Sequence, residues 1–310
     1  MDNATPRGGG NDDIRRALTP PALFALDYLA VPADLSDFVT TFYHFRCDER
    51  VIEDIQPAAV GHLTLFPYGK GTMRFADGPS DPSHECNLLT PSSVAAPFTM
   101  NGPFHAIGAV FTPLGWAALT GLPADEHANR LHAAADWLGE EAGIFGSRLC
   151  DDYRHGRRTG AQCAGALGEF ITSRLKPVHP RHAALIAATN DWLGGAINPN
   201  VETLFASLAY SRRQAQRLVE RYFGLPPKAL ARKYRALRAA MLMSLPRLSD
   251  AMDAELAEAF YDQSHMIREI RLFAGRTPAR LGDDDSPFLH EMLDPRNLRE
   301  IRLSARLPDA

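Results

Sequence analysis

Twice between Val201 and Leu281 a short helical run of apolar residues breaks off and resumes behind a polar cap, which confines the segment to a small all-helical module. In the first unit Val201, Leu204, Phe205 and Leu208 recur at the three-and-four spacing of an amphipathic helix. Ala209-Tyr210-Ser211 interrupts, and Ser211 can cap a second helix by accepting a hydrogen bond from a free N–H of its first turn. That helix buries Ala215, Leu218, Val219 and Tyr222 and stops at Gly224, the residue most tolerant of a left-handed end. Its other face carries Arg212, Arg213, Gln216, Arg217 and Arg221, side chains suited to phosphates and purine edges.

The second unit repeats the plan. Leu256, Ala257 and Phe260 lead to a break at Tyr261, and Asp262 is the expected N-cap. Met266, Ile270 and Phe273 form the buried stripe, leaving Gln263, Ser264, His265, Arg268 and Arg271 outside. Gly275 stops this helix and Thr277-Pro278 prevents its continuation. Between the units Pro226-Pro227 opens a helix to about Leu245. About 18 residues at roughly 1.5 Å each make a strut of roughly 27 Å, able to hold two recognition helices about one duplex turn apart.

The string from Leu208 to Lys228 resembles the first helix-turn-helix of the AraC/XylS family, and Phe260 to Glu269 with Gly275-Arg-Thr-Pro resembles the second. Together the two matches cover about a third of the chain, in order. The resemblance implies sequence-specific DNA binding and control of transcription, activation included. There are departures: Ala215 and Val219 stand where larger apolar residues are usual, Ala259 where a turn glycine is usual, and Met266 and Ile270 where two phenylalanines are usual. All remain apolar and helix-compatible. Ser211, Arg212, Arg213, Gln216, Arg217 and Arg221 are the expected DNA contacts of the first unit. Gln263, Ser264, His265 and Arg268 are those of the second, where backbone contacts can outweigh base readout.

Charge supports a polyanion partner for this segment alone. Residues 180–281 hold 15 Lys and Arg against 9 Asp and Glu, whereas residues 1–179 hold 14 against 21. The N-terminal texture differs. Asp37 to Phe45, His62 to Phe66, Thr72 to Ala76 and Phe104 to Phe111 are β-branched or aromatic runs. Gly69-Lys-Gly71, Asp77-Gly78-Pro79 and Asn101-Gly102-Pro103 read as turns between them, as in a small barrel or sandwich. Phe42, Phe45, Phe66 and Phe75, with Phe98, Phe104 and Phe111, read as its core rather than a ligand cage. Gly108 to Gly121 resembles the end of a cupin-like sensor domain that precedes some AraC-type modules. Helical patterns follow at Leu131–Leu138, Ile144–Tyr153, Ala161–Leu175 and Arg181–Leu193, with a proline-broken linker at Lys176–Pro180.

The expected organisation is α+β: an arm at 1–20, a β-rich sensor or dimerisation domain with trailing helices at 21–178, an all-α domain at 179–282 and a tail at 283–310. His44, His62, His84 and His105 lack metal-ligand spacing and read as surface or satisfied core residues. No catalytic motif or phosphate-binding glycine loop is present, so no catalytic residue, metal or cofactor is assigned. Scattered Cys47, Cys86, Cys150 and Cys163, no secretory-signal pattern and no long apolar run suggest a cytoplasmic protein. Expected partners are double-stranded DNA, then RNA polymerase, a small-molecule effector and a second copy of the chain. Two alternatives stay open: a cupin-type small-molecule-binding protein or enzyme with an accessory DNA module, and a regulator whose N-terminal domain binds only protein.

Overall fold

The computed structural model describes residues 24–75, 78, 80–244 and 249–281. The arm at 1–20, the tail at 283–310, Asp77 and Pro79, and the end of the strut at Leu245 lie outside them. The first half is an antiparallel sheet. Its strands are β1 (Phe24–Leu29), β2 (Val39–Cys47), β3 (Val51–Gln56), β4 (His62–Arg74), β5 (Ser80–Pro82), β6 (Cys86–Leu89), β7 (Ala96–Phe111) and β8 (Leu131–Ala133). β7 is the spine: one half pairs with β2, the other with β3, and β4 runs along its opposite edge.

Side-chain alternation along these strands divides the sheet into two faces. Tyr43 and Phe45, with Thr64 and Phe66, turn toward an internal cavity. Phe42, Leu63, Leu65, Ile107 and Phe111 turn the other way into a second core, which includes Leu149 and Leu167. That core is closed by the helices α1 (Pro113–Thr120), α2 (Ala134–Leu138), α3 (Glu140–Arg154) and α4 (Gly160–Arg174).

Two expected turns are strand instead. Gly69-Lys-Gly71 lies inside β4 and Asn101-Gly102-Pro103 inside β7. The pairing slips between Leu65 and Tyr68 and again before Lys70, so the glycines serve a bulge, not a reversal. A Cβ on Gly71 would lie 1.9 Å from the Thr99 carbonyl oxygen, and Gly69 has φ +78°. Leu131 to Ala133 also depart from the expected helix, because β6 offers them an open edge.

The helical half follows: α5 (Pro180–Gly194), α6 (Val201–Ser207), α7 (Arg212–Phe223), α8 (Pro227–Met243), α9 (Asp250–Glu258) and α10 (Gln263–Ala274). α6–α7 and α9–α10 are the two helix-turn-helix units, joined by α8. Among the described residues, no helix is long and apolar enough to cross a membrane. The fold class is α+β, as the patterning indicated.

The two halves are bonded backbone to backbone. Ala124 N donates to Arg221 O (2.6 Å) in the last turn of α7. Ala95 N and Ala58 N donate to Leu272 O (3.0 Å) and Phe273 O (2.7 Å) at the end of α10. These carbonyls are among those a helix leaves unpaired at its C-terminus. Lys233 Nζ, buried on α8, donates to Ala59 O (3.2 Å) and Ser92 O (2.8 Å). Gly275, left-handed at φ +83°, lies so close to β3 that a Cβ would be 2.3 Å from Ile55 Cγ2. Beside it Arg276 pairs with Asp54 in a buried contact.

Burial pushes the Asp54 carboxyl up and the Arg276 guanidinium down, each against the attraction of the other. Desolvation therefore offsets much of this ion pair's attraction. Arg276→Met alone should cost about 3–5 kcal/mol by stranding Asp54, whereas Arg276→Met with Asp54→Leu should be nearly neutral or stabilising. Urea unfolding of the two variants checks this.

Candidate functional site

The candidate nucleic-acid interface is built on α7 and α10. Ser211 caps α7 by accepting from Gln214 N (3.4 Å), and Ala215, Leu218, Val219 and Tyr222 bury its inner face. That leaves Ser211, Arg212, Arg213, Gln216, Arg217 and Arg221 exposed. They are not equally free. Arg212 forks onto Glu202 of α6 through two 2.7 Å bonds and lies over the Phe205 ring. Gln216 Nε2 bonds Glu220 Oε1 at 3.0 Å. Arg213, Arg217 and Arg221 have no side-chain bond to any described residue, and their guanidiniums remain open.

Asp262 caps α10 by accepting from His265 N (2.7 Å), with Gln263, Ser264 and Arg268 exposed around the opening turns. Ile270 and Phe273 are buried as patterned, but Met266 is only partly covered and Ala257 of α9 is exposed. Ala257 is carried outside because Ala259 and Phe260 take the packing positions.

His265 is half-buried. Its ring reaches along the helix to the fourth residue on, with Nε2 3.0 Å from Glu269 Oε1 and an edge toward Phe260. Glu269, 2% exposed, also receives Arg232 Nε (2.8 Å) and Arg235 Nη2 (2.6 Å) from α8. This buried carboxylate fixes α10 against the strut. Glu269 stands three residues after Met266, on the stripe of Met266, Ile270 and Phe273, so a charge at a packing position was the signal. Tyr261, 93% exposed immediately before the cap, is a further side chain at the rim of this face.

The second feature is the cavity inside the sheet, about 110 Å³ in volume. Phe45, Phe66, Phe98 and Phe104 line it, so part of the predicted aromatic core surrounds a void. Its wall includes Gln56 through Val60, the segment that bonds α10, and Leu237 from α8. His62 also lines it, and burial pushes that imidazole down to about 4. The histidines are not independent: His44 Nε2 and His105 Nδ1 both lie 2.8 Å from the Tyr153 hydroxyl, on the opposite face of the sheet. No group of three His, Cys, Asp or Glu side chains converges among the described residues.

Comparisons with known proteins give structural likeness only. No family model matches the chain, and no curated protein does. Among solved structures, ToxT from Vibrio cholerae is similar at 11% identity and a TM-score of 0.45, over 88% of this chain and 99% of that one. The same protein bound to (E)-4-(8-methylnaphthalen-1-yl)but-3-enoic acid gives 10% and 0.43, over 87% and 99%. The AraC-like transcriptional activator CuxR gives 13% and 0.32, over 70% and 86%.

Burial pushes the Glu269 carboxyl up, but bonds and charges from Arg232 and Arg235 outweigh it and hold it below the usual range. A depressed folded value means stabilisation present above the ordinary carboxylate pKa, about 4.3, and lost as pH falls through the folded one. Glu269→Gln should therefore be less stable than the parent at neutral pH, and the difference should shrink below about pH 4. Denaturant midpoints measured from pH 7 to pH 3 provide the check.

Proposed function

We propose that this chain is a sequence-specific DNA-binding regulator of transcription of the AraC/XylS type, with a β-rich half that senses a small molecule. The observation that carries this reading is the pair of capped helix-turn-helix units. The exposed faces of their second helices hold unbonded Arg213, Arg217, Arg221 and Arg268, while their C-terminal ends are bonded into the sheet half. A helix held at its C-terminus presents its N-terminal turns outward, and those are the turns a recognition helix lays against base edges.

In this reading α7 enters a major groove. Arg213 and Arg217, one helical turn apart, face consecutive bases or a base and a phosphate. Ser211 and Arg221 grip backbone. Arg212, docked on Glu202, positions the first turn, and Gln216 exchanges Glu220 for a base edge. In the second unit Gln263, Ser264 and Arg268 make the contacts, and His265 acts through Glu269. The sensing half is no enzyme in this reading. Its apolar cavity shares residues 56–60 with the seam that holds α10, so an occupant bears directly on a recognition helix. RNA polymerase and a second copy of the chain complete the set of partners.

DNA fragments selected by the full-length chain, then titrated as single-base variants, test the assignment. Arg217→Ala should cost about 1–3 kcal/mol and relax preference at one or two positions. Arg268→Ala should weaken all sequences alike and make the salt slope shallower by about one unit. An affinity for DNA that hardly changes between low and physiological salt would sink the proposal, because phosphate contacts release counterions.

A further inference from the structure

The cavity has a chemistry of its own. Of the side chains that line it, none is Lys, Arg, Asp or Glu. Most are aliphatic or aromatic, and polar atoms come from Tyr28, Tyr43, Gln56, His62, Thr64 and Asn87. The Tyr43 hydroxyl and Thr64 Oγ1 bond each other at 3.2 Å. The Asn87 amide is occupied by backbone: Oδ1 accepts from His84 N (2.7 Å) and Nδ2 donates to His84 O (2.7 Å). His62 is different. It is 6% exposed, stands two residues before Thr64 on the same face of β4, and has no hydrogen bond to any described residue. The Gln56 amide on β3 is likewise open.

The imidazole meets the Tyr43 ring edge-on and otherwise lines the cavity, so whatever occupies the cavity is what its nitrogens can bond. Kept neutral by its surroundings, it offers one N–H donor and one lone-pair acceptor. The space beside it is limited: a cavity of about 110 Å³ compares with the roughly 150 Å³ engineered void that takes up benzene.

We propose that the cavity binds a small uncharged ligand, about one aromatic ring in size, bearing a hydroxyl or carbonyl oxygen that hydrogen-bonds to His62. This rests on the reading of the sheet half as a sensor and specifies what it senses. A carboxylate is disfavoured because no cationic side chain lines the wall. A wholly apolar ligand leaves the imidazole unsatisfied.

Calorimetry on the full-length chain without DNA tests this, using para-cresol, para-xylene and 4-methylbenzoate at neutral pH. The first two differ by a hydroxyl in place of a methyl. In an apolar void that exchange favours para-xylene, since the hydroxyl loses its water. With His62 as partner the preference reverses, and para-cresol should bind about three- to tenfold more tightly, with 4-methylbenzoate weakest. His62→Leu should restore the preference for para-xylene, and Gln56→Leu should not. The imidazole ¹⁵N resonances of wild-type His62 should shift with para-cresol and not with para-xylene, a readout that needs no variant to fold. Preference for para-xylene in the wild type, loss of discrimination in Gln56→Leu instead of His62→Leu, or no binding of any probe would overturn the proposal. DNA affinity measured on the same preparation keeps that outcome separate from any failure of the DNA-binding reading.

Discussion

An α-helix ends with carbonyl oxygens that have no partner within the helix, and one of them in α7 and two in α10 are taken by backbone N–H groups from the other half of the chain. Ala124 holds α7, and Ala58 and Ala95 hold α10. Such bonds are short and directional, and a buried carbonyl left without one costs about 1–3 kcal/mol. These bonds tie the last turn of each helix to the other half of the chain. Ala58, Ala95 and Ala124 lie in loops between strands and helices of the first half, away from the exposed arginines.

The same seam decides how the basic residues are divided. The net positive charge of residues 180–281 suggests a uniform polyanion-binding surface, but many of its cations are engaged. Lys233 is spent on the Ala59 and Ser92 carbonyls, and Arg276 on Asp54. Arg238, fully buried, donates to Leu193 O (2.6 Å) at the end of α5. Arg232 and Arg235 meet on Glu269, and Arg212 on Glu202. What remains outward and unbonded is Arg213, Arg217 and Arg221 on α7 and Arg268 and Arg271 on α10. Charge counted along the chain overstates what a phosphate backbone would meet, because guanidiniums used as internal hydrogen-bond donors are not available to it.

The cavity adjoins this arrangement through its walls. Gln56 to Val60 form one side of the void and carry the Ala58 N–H that bonds Phe273 O. Leu237, one turn along α8 from Lys233, forms another part. The void and the contacts to α8 and α10 therefore share the same wall residues.

The helix-turn-helix units were legible in the sequence because their causes are local. Apolar spacing, Ser211 and Asp262 as caps, and Gly224 and Gly275 as left-handed ends each act within a few residues, and the caps and ends are found where the pattern put them. The strands were only partly legible. Gly69-Lys-Gly71 and Asn101-Gly102-Pro103 carry turn chemistry, yet the nearness of β4 to β7 makes them bulged strand. Burial of Glu269 beside His265 needed two cations, Arg232 and Arg235, 37 and 34 residues earlier in the chain. The cavity needed three strands to converge around phenylalanines that composition alone reads as solid core. By itself the sequence determined the helices, their caps and the residue types on their exposed faces, since these follow from spacings of three, four and seven. Only the tertiary structure decided which of those charges stay free, which histidine lines the cavity, and which backbone amides close the ends of α7 and α10. Those outcomes depend on partners far apart in the chain, and no local pattern encodes the distance between them.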